Sequence, residues 1–332
     1  AAPRSLVSRI VGRFFFLMTS KRRNMPRKYS RRRPSSEQKA RTKKKKSMRR
    51  RSKSKKMRGG VTVRAQDLKT RLPEDMFGEI REMHPLLTPK LTNATIKRAV
   101  SDYLNGGARK QRVVTKYGEI SNWDVSSVTT MYKMFWFATS FNQPLNNWNV
   151  SNVRYMDELF YGASSFNQPL NKWNVSNVTD MNDMFWDARS FNQPLNNWNV
   201  SNVRYMRHMF YNTSVDNASS FNQPLNKWNV SKVIDMQSMF AGASSFNQPL
   251  NKWNVSNVTD MGFMFWRAYS FNQPLNNWNV SNVTDMYMMF HGARSFNQPL
   301  NDWNVSNVTD MEQMFRDATS FNQPLHAPWY VV

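Results

Sequence analysis

The chain contains no cysteine, which excludes a disulfide framework, a thiolate metal site and a cysteine nucleophile. Its four histidines, His84, His208, His291 and His326, are scattered and show no paired ligand spacing. The eleven glycines form no phosphate-cradling loop. No apolar run reaches the ~20 residues of a membrane-spanning helix. The nearest approach, Ile10–Met18, is broken by Arg13. Acidic residues are almost missing from residues 1–60, where Glu37 stands alone against 24 Lys and Arg. These absences leave no constellation for catalysis, so the expectation is a protein that is not an enzyme and needs no cofactor or metal.

What is present divides by charge. Residues 1–60 carry +23 of the formal +25, residues 61–120 carry +4, and residues 121–332 carry −2. The protein is therefore a basic tail joined to a nearly neutral body. Residues 20–60 hold too few apolar side chains to offset the entropy of ordering, which predicts a disordered tail. Its densest part, "RTKKKKSMRRRSKSKKMR", supplies Lys43, Lys44, Lys45, Lys46, Arg49, Arg50, Arg51, Lys53, Lys55, Lys56 and Arg58 as candidate polyanion-binding residues. Such a run binds nucleic acid or another polyanion by releasing counterions, with little sequence preference. It also fits a nuclear-localisation pattern. Residues 1–24 carry no fold argument, because Met25 can serve as the start.

Residues 61–120 read as a small helical neck. Pro73, Glu74 and Asp75 suit a helix start. Thr92 or Asn93 can cap a second helix that places Ile96, Val100, Tyr103 and Leu104 on one face and stops at Gly106-Gly107. The expected role is to cover the open N-terminal end of a stacked array.

From Ser121 the chain is periodic. "SFNQPL" recurs eight times, and the Trp of each "WNV" (first copy "WDV") stands at 123, 148, 173, 198, 228, 253, 278 and 303. The step is 25 residues, except for one step of 30 where Tyr211–Phe221 carries an insertion. Copies after the insertion stay in register, so it must leave the array as a loop. Within a copy, Leu145, Trp148 and Val150 suggest a short strand with Trp and Val inward. The following Val153, Met156, Leu159, Phe160 and Ala163 have the three-and-four spacing of a short helix or 3₁₀ segment. About 25 residues with one apolar face cannot close a core alone, so about eight coils must stack, with strands about 4.8 Å apart. "VTDMNDMFWDARSFNQPLNNWNVSN" resembles the BspA-like leucine-rich repeat, in the 25-residue variant of mycoplasma surface lipoproteins, giant algal viruses and protists. That resemblance spans about residues 119–325. It implies a right-handed repeat solenoid with a parallel strand per coil, and roles in adhesion, host interaction or protein binding without catalytic residues.

The expected organisation is a basic tail (1–60), a helical cap (61–120), a leucine-rich-repeat-like solenoid (121–325) and an apolar end (326–332) that is either truncated or pairs with a partner, which would permit oligomers. Invariant positions serve stacking. The repeated Trp reads as core, and the identical Asn149, Asn174, Asn199, Asn229, Asn254, Asn279 and Asn304 read as turns and amide ladders. Recognition is therefore sought where the copies differ: Trp136, Tyr161, Trp186, Tyr211, Trp266 and His291 after "MF", the residues after the Met column such as Asp157, Glu158 and Asp183, and Lys172, Lys227 and Lys252 beside the "WNV". The "T-D-M" acids read as turn or helix-start residues, not as paired acid/base groups. The leading expectation is a binding scaffold whose solenoid engages a protein or a surface glycan while the tail holds a polyanion. Two alternatives stand beside it: a structural protein associated with a virion or nucleic acid, and a surface adhesin with a misassigned N-terminus. The tail favours a nuclear, virion-associated or cytoplasmic location; the resemblance suggests a cell-surface or secreted one.

Overall fold

The computed structural model describes residues 88–213 and 219–325. The basic tail, the helix expected at Pro73, part of the insertion and residues 326–332 lie outside them.

Among the described residues two α-helices precede the array: α1, Ile96–Leu104, and α2, Gly107–Tyr117. The N-cap of the first is Thr95, later than Thr92 or Asn93. Those two residues instead join the chain to the first coil. Thr92 makes a parallel bridge to Ser127, and the Asn93 amide donates to Thr129 Oγ1 at 2.7 Å while accepting the Thr129 N–H at 2.9 Å. Helix α1 buries Ile96, Ala99, Val100 and Tyr103. Leu104, on the same predicted stripe, is 40% exposed. Tyr103 and Tyr117 both pack on Trp123, whose indole N–H donates to the Gly118 carbonyl at 2.9 Å. The first Trp of the array is thus closed off by the neck.

Beyond Trp123 each coil repeats one polygonal path, and the core consists of columns. Trp148, Val150, Val153, Met156, Phe160, Phe166 and Leu170 and their equivalents are almost all fully buried. The "MF" phenylalanines stack from coil to coil with centroids 5.4–5.7 Å apart. Neighbouring Trp rings lie 6.2–6.4 Å apart and nearly parallel. From Trp173 onward each buried indole N–H donates to the carbonyl of the "SFNQPL" Leu one coil earlier, as in Trp173 to Leu145 at 2.9 Å, and Trp148 donates to the Ile120 carbonyl at 2.7 Å, so no buried Trp of the array leaves its donor unsatisfied.

Two local expectations are corrected. The strand expected at Trp148–Val150 makes no coil-to-coil ladder; the parallel bridge falls five residues later, as in Thr130–Tyr155, Tyr155–Asp180 and Asp180–Tyr205. The expected helix is instead a train of turns. Leu159 N–H bonds Met156 C=O, Tyr161 bonds Glu158 and Ala163 bonds Phe160, while the intervening peptides of Met156, Glu158, Phe160 and Gly162 donate to Asp180, Asn182, Met184 and Trp186 of the next coil. The reason lies in the backbone. Lys133, Glu158, Asp183, His208, Ser238, Phe263, Met288 and Gln313 all have φ between 51° and 58°. A left-handed residue at this point turns alternate peptides along the stacking axis, where a helix would keep every N–H inside its own coil. Turn and helix share the three-and-four apolar spacing, so the periodicity could not separate them.

Candidate functional site

The invariant asparagines are occupied structurally, by four different devices. Asn146-type amides form a coil-to-coil ladder, with Asn146 Nδ2–H donating to Asn171 Oδ1 at 2.9 Å and Asn146 Oδ1 accepting the Lys172 N–H at 2.9 Å. Asn142-type Oδ1 atoms accept the next coil's Asn N–H and Gln Nε2–H, as in Asn167 and Gln168 at 3.0 and 3.1 Å. Asn152-type amides donate to a Ser carbonyl of the previous coil. The Asn149 column forms no coil-to-coil ladder. Each Oδ1 accepts the N–H two residues on, at 3.1–3.2 Å, and closes a turn within its own coil.

The variable positions behave differently. Trp136, Tyr161, Trp186 and Tyr211 form a continuous column on the outside of the first four coils, with successive centroids 6.2, 5.2 and 4.3 Å apart. Trp136 is 47% exposed, and Phe137, which the sequence reading passed over, is 53% exposed and packs edge-on against both Trp136 and Tyr161. Phe137 is exposed because it takes a left-handed position that Gly162, Gly242 and Gly292 fill in other coils. The two tyrosine hydroxyls are held un-ionised. Burial first, then Asp183 and Asp187 around Tyr161 and Asp187 beside Tyr211, push both up to about 12. Below Trp186, His208 places Nδ1 2.9 Å from Asp183 Oδ1. Burial outweighs the carboxylate and lowers the affinity of the imidazole for a proton, so this contact is a hydrogen bond from a neutral ring and not an ion pair.

The column ends at Ala241, which is buried. Trp266 and His291 occupy the equivalent positions further along, where Trp266 carries the Arg267 guanidinium over its ring at 4.5 Å and His291 Nε2 lies 3.6 Å from Asp317. Lys172, Lys227 and Lys252 are exposed on another side of the array and do not join the aromatic column. Lys43, Lys44, Lys45, Lys46, Arg49, Arg50, Arg51, Lys53, Lys55, Lys56 and Arg58 lie outside the described residues. Exposed Tyr155 and Tyr205 form a further feature. They were legible in the sequence as the two places where "R-Y-M" replaces "T-D-M".

The acids of "T-D-M" stack as a like-charge ladder, with Asp235, Asp260, Asp285 and Asp310 joined by successive parallel bridges. Each Oδ1 accepts the N–H two residues on. Burial, followed by Asp235 and Asp285, raises Asp260 to about 6; burial and nearby acids do the same to Asp180. A carboxyl raised on folding from 3.8 to about 6 favours the fold while protonated. That contribution is complete below about pH 4 and is lost as pH rises through 6. Asp260→Asn keeps the Oδ1 acceptor of the Gly262 N–H and removes the charge, at the loss of the hydrogen bond from Gln237 Nε2 to Oδ2 at 3.1 Å, which offsets part of the gain. It is expected to leave melting unchanged at pH 4 and to stabilise the protein by about 1–2 kcal/mol at pH 8. A variant that melts below the wild type at pH 8 would show that the ladder does not repel.

Among the described residues no helix is long and apolar enough to cross a membrane. No curated protein and no solved structure matches the chain. One family profile, described as "Mycoplasma protein of unknown function, DUF285", matches three overlapping stretches, residues 109–218, 212–286 and 252–331. Together these stretches span the whole array of stacked aromatic and amide columns, and the chain belongs to that family.

Proposed function

We propose that this protein is a non-catalytic binding scaffold in which the outer aromatic column of the first four coils holds a partner protein, while the basic residues between 20 and 60 hold a polyanion. One observation carries the reading. In an array whose invariant positions are buried or tied into ladders, Trp136, Phe137, Tyr161, Trp186 and Tyr211 vary and stand together, Trp136 and Phe137 exposed and the other three half-buried beside them. Aromatic residues that exclude water beside mixed charges, here Lys133, Glu158, Asp183 and Asp187, are the chemistry of interface hot spots. A protein suits the column better than a sugar. Tyr161 and Trp186 stack, Tyr211 tilts onto Trp186, and Trp136 has the Lys133 ammonium over its ring at 5.2 Å and Phe137 edge-on against it, whereas a saccharide needs an open ring face. The resemblance to BspA-like leucine-rich repeats supports a binding role in the same direction.

The test places a photo-crosslinking residue at position 136 of the full chain and, in a second preparation, at position 304. The expected result is a discrete protein adduct from 136 alone, weakened about tenfold by Phe137→Ser, in line with loss of a hot-spot ring. Identical adduct patterns from both positions would sink the proposal.

A further inference from the structure

The side of the array that carries the "WNV" segments has a charge pattern that stacking does not require. The exposed positions between Asn147 and Arg154 in each coil hold Arg154, Lys172, Arg204, Lys227, Lys232 and Lys252. Half of the twelve basic residues of residues 121–332 therefore stand here. Across the five coils that hold these six cations, the same positions contain no acid; Asp124 and Asp302 stand only in the end coils. The body as a whole is −2, so acids were at hand, and they stack in the neighbouring column instead. Neighbouring Trp rings on this side repeat every 6.3–6.4 Å, which sets Lys227 and Lys252 one step apart and Lys172 and Lys227 two steps apart. Like charges brought side by side repel one another. Among the described residues no carboxylate relieves these: only Lys232 has a side-chain partner, the Asn202 Oδ1 at 2.7 Å.

The neutral residues between the cations add donors. Each Asn149-type side chain spends its Oδ1 on a turn, which leaves its Nδ2–H group toward solvent. A shallow open depression on this side is lined by Asn146, Asn147, Asn149, Lys172 and Asn174. We infer that this face binds a linear acidic polysaccharide, with sulfate or carboxylate groups against the lysines and arginines and sugar hydroxyls against the asparagine amides. The inference rests on reading the solenoid as a binding scaffold and assigns the ligand class of a face separate from the aromatic column. A nucleic acid fits less well. Its bases want exposed rings, the Trp rings of this side are buried at 2–3% exposure, and the first exposed rings, Tyr155 and Tyr205, stand beyond its edge.

The experiment uses the full chain, so that the tail is constant. A labelled heparin-derived oligosaccharide and a single-stranded oligonucleotide of equal charge are titrated against wild type, against Lys172→Ala/Lys227→Ala/Lys252→Ala, and against a variant with Lys43 to Lys46 replaced by Ala. The face variant should melt at or slightly above the wild type, because these lysine side chains hold nothing in place and repel one another. It should bind the sulfated probe about tenfold more weakly, with a slope of log affinity against log salt shallower by about three. Its oligonucleotide affinity should change less than twofold, and the tail variant should show the opposite preference. Unchanged binding of the sulfated probe would assign all of it to the tail and overturn the inference. Equal loss of both probes would overturn the polysaccharide assignment, because the face would then be reading charge alone. Neither result depends on the crosslinking outcome at position 136, so the two proposals fail separately.

Discussion

Trp228→Ala is expected to destabilise the array by about 3–5 kcal/mol and to lower the melting transition of all the coils together. The indole is 3% exposed, stacks on Trp253 with centroids 6.3 Å apart and 2° between planes, and donates its N–H to the Leu195 carbonyl at 2.9 Å. Truncation therefore opens a cavity in a column and strands a buried acceptor one coil earlier, a further penalty of about 1–3 kcal/mol if water does not enter. Because each coil contacts only its neighbours, the damage acts at two interfaces and not one. Trp228→Phe separates the contributions: it keeps a stacked ring, loses the donor, and should fall between wild type and alanine. Thermal denaturation followed by far-UV circular dichroism is the measurement. A Trp228→Ala protein that melts like the wild type would mean that the Trp column is not the spine of the array.

The second large effect is expected at Gly242. Its φ is +67°, a region that costs an L-residue about 1–2 kcal/mol. A Cβ at this position would stand 2.1 Å from the Asn212 carbonyl oxygen, a backbone atom that cannot swing aside. Asn212 is buried and its N–H is bound to the Ala241 carbonyl, so the contact is fixed from both sides. Gly242→Ala should cost about 3–5 kcal/mol, the sum of left-handed strain and overpacking. Gly292 provides the control. It has nearly the same φ, +69°, but a Cβ there would meet the flexible Arg267 Cγ at 3.2 Å. Gly292→Ala should therefore cost only the conformational part, about 1–2 kcal/mol. Equal melting temperatures for the two alanine variants would show that the approach of Asn212 plays no part. The contrast traces to the insertion: it begins at Asn212, and its first residue brings a carbonyl to the next coil where other coils bring a side chain.

Much of the fold was legible from residue types. The 25-residue step fixed the number of coils, and the positions held constant in every copy, Leu145, Trp148, Val150, Met156, Phe160 and Phe166 among them, are the buried columns. Their constancy has a physical cause: a column stacks only if each copy presents the same shape to the next. The alternation of Trp136, Tyr161, Trp186 and Tyr211 against this constant background marked the outer column before any coordinates. The left-handed turns were hidden. Lys133, Glu158, Asp183 and His208 are not residues that favour positive φ as glycine does, and only the coil-to-coil bonds of the alternate peptides compensate them. Phe137 was overlooked for the same reason, since nothing in "MFWFATSF" says that this one ring turns outward.

The sequence by itself determined the period, the inward columns, the separation of a basic tail from a neutral body, and the places where copies disagree. Each of these depends on composition along one chain and on a spacing that any stacked arrangement must respect. Only the tertiary structure decided where the backbones of neighbouring coils bond, mainly from Arg154 to Gly162 and their equivalents and not at the "WNV", where the indole N–H alone reaches across. It also decided which variable residues meet. Trp136 and Tyr211 lie 75 residues apart in the chain and three coils apart in space, whereas Lys172 and Trp186, 14 residues apart, stand on different sides of the array. Neighbourhood across coils is set by the 25-residue return of the backbone and by the corners within each turn, and those corners depend on backbone angles that residue types alone leave undetermined.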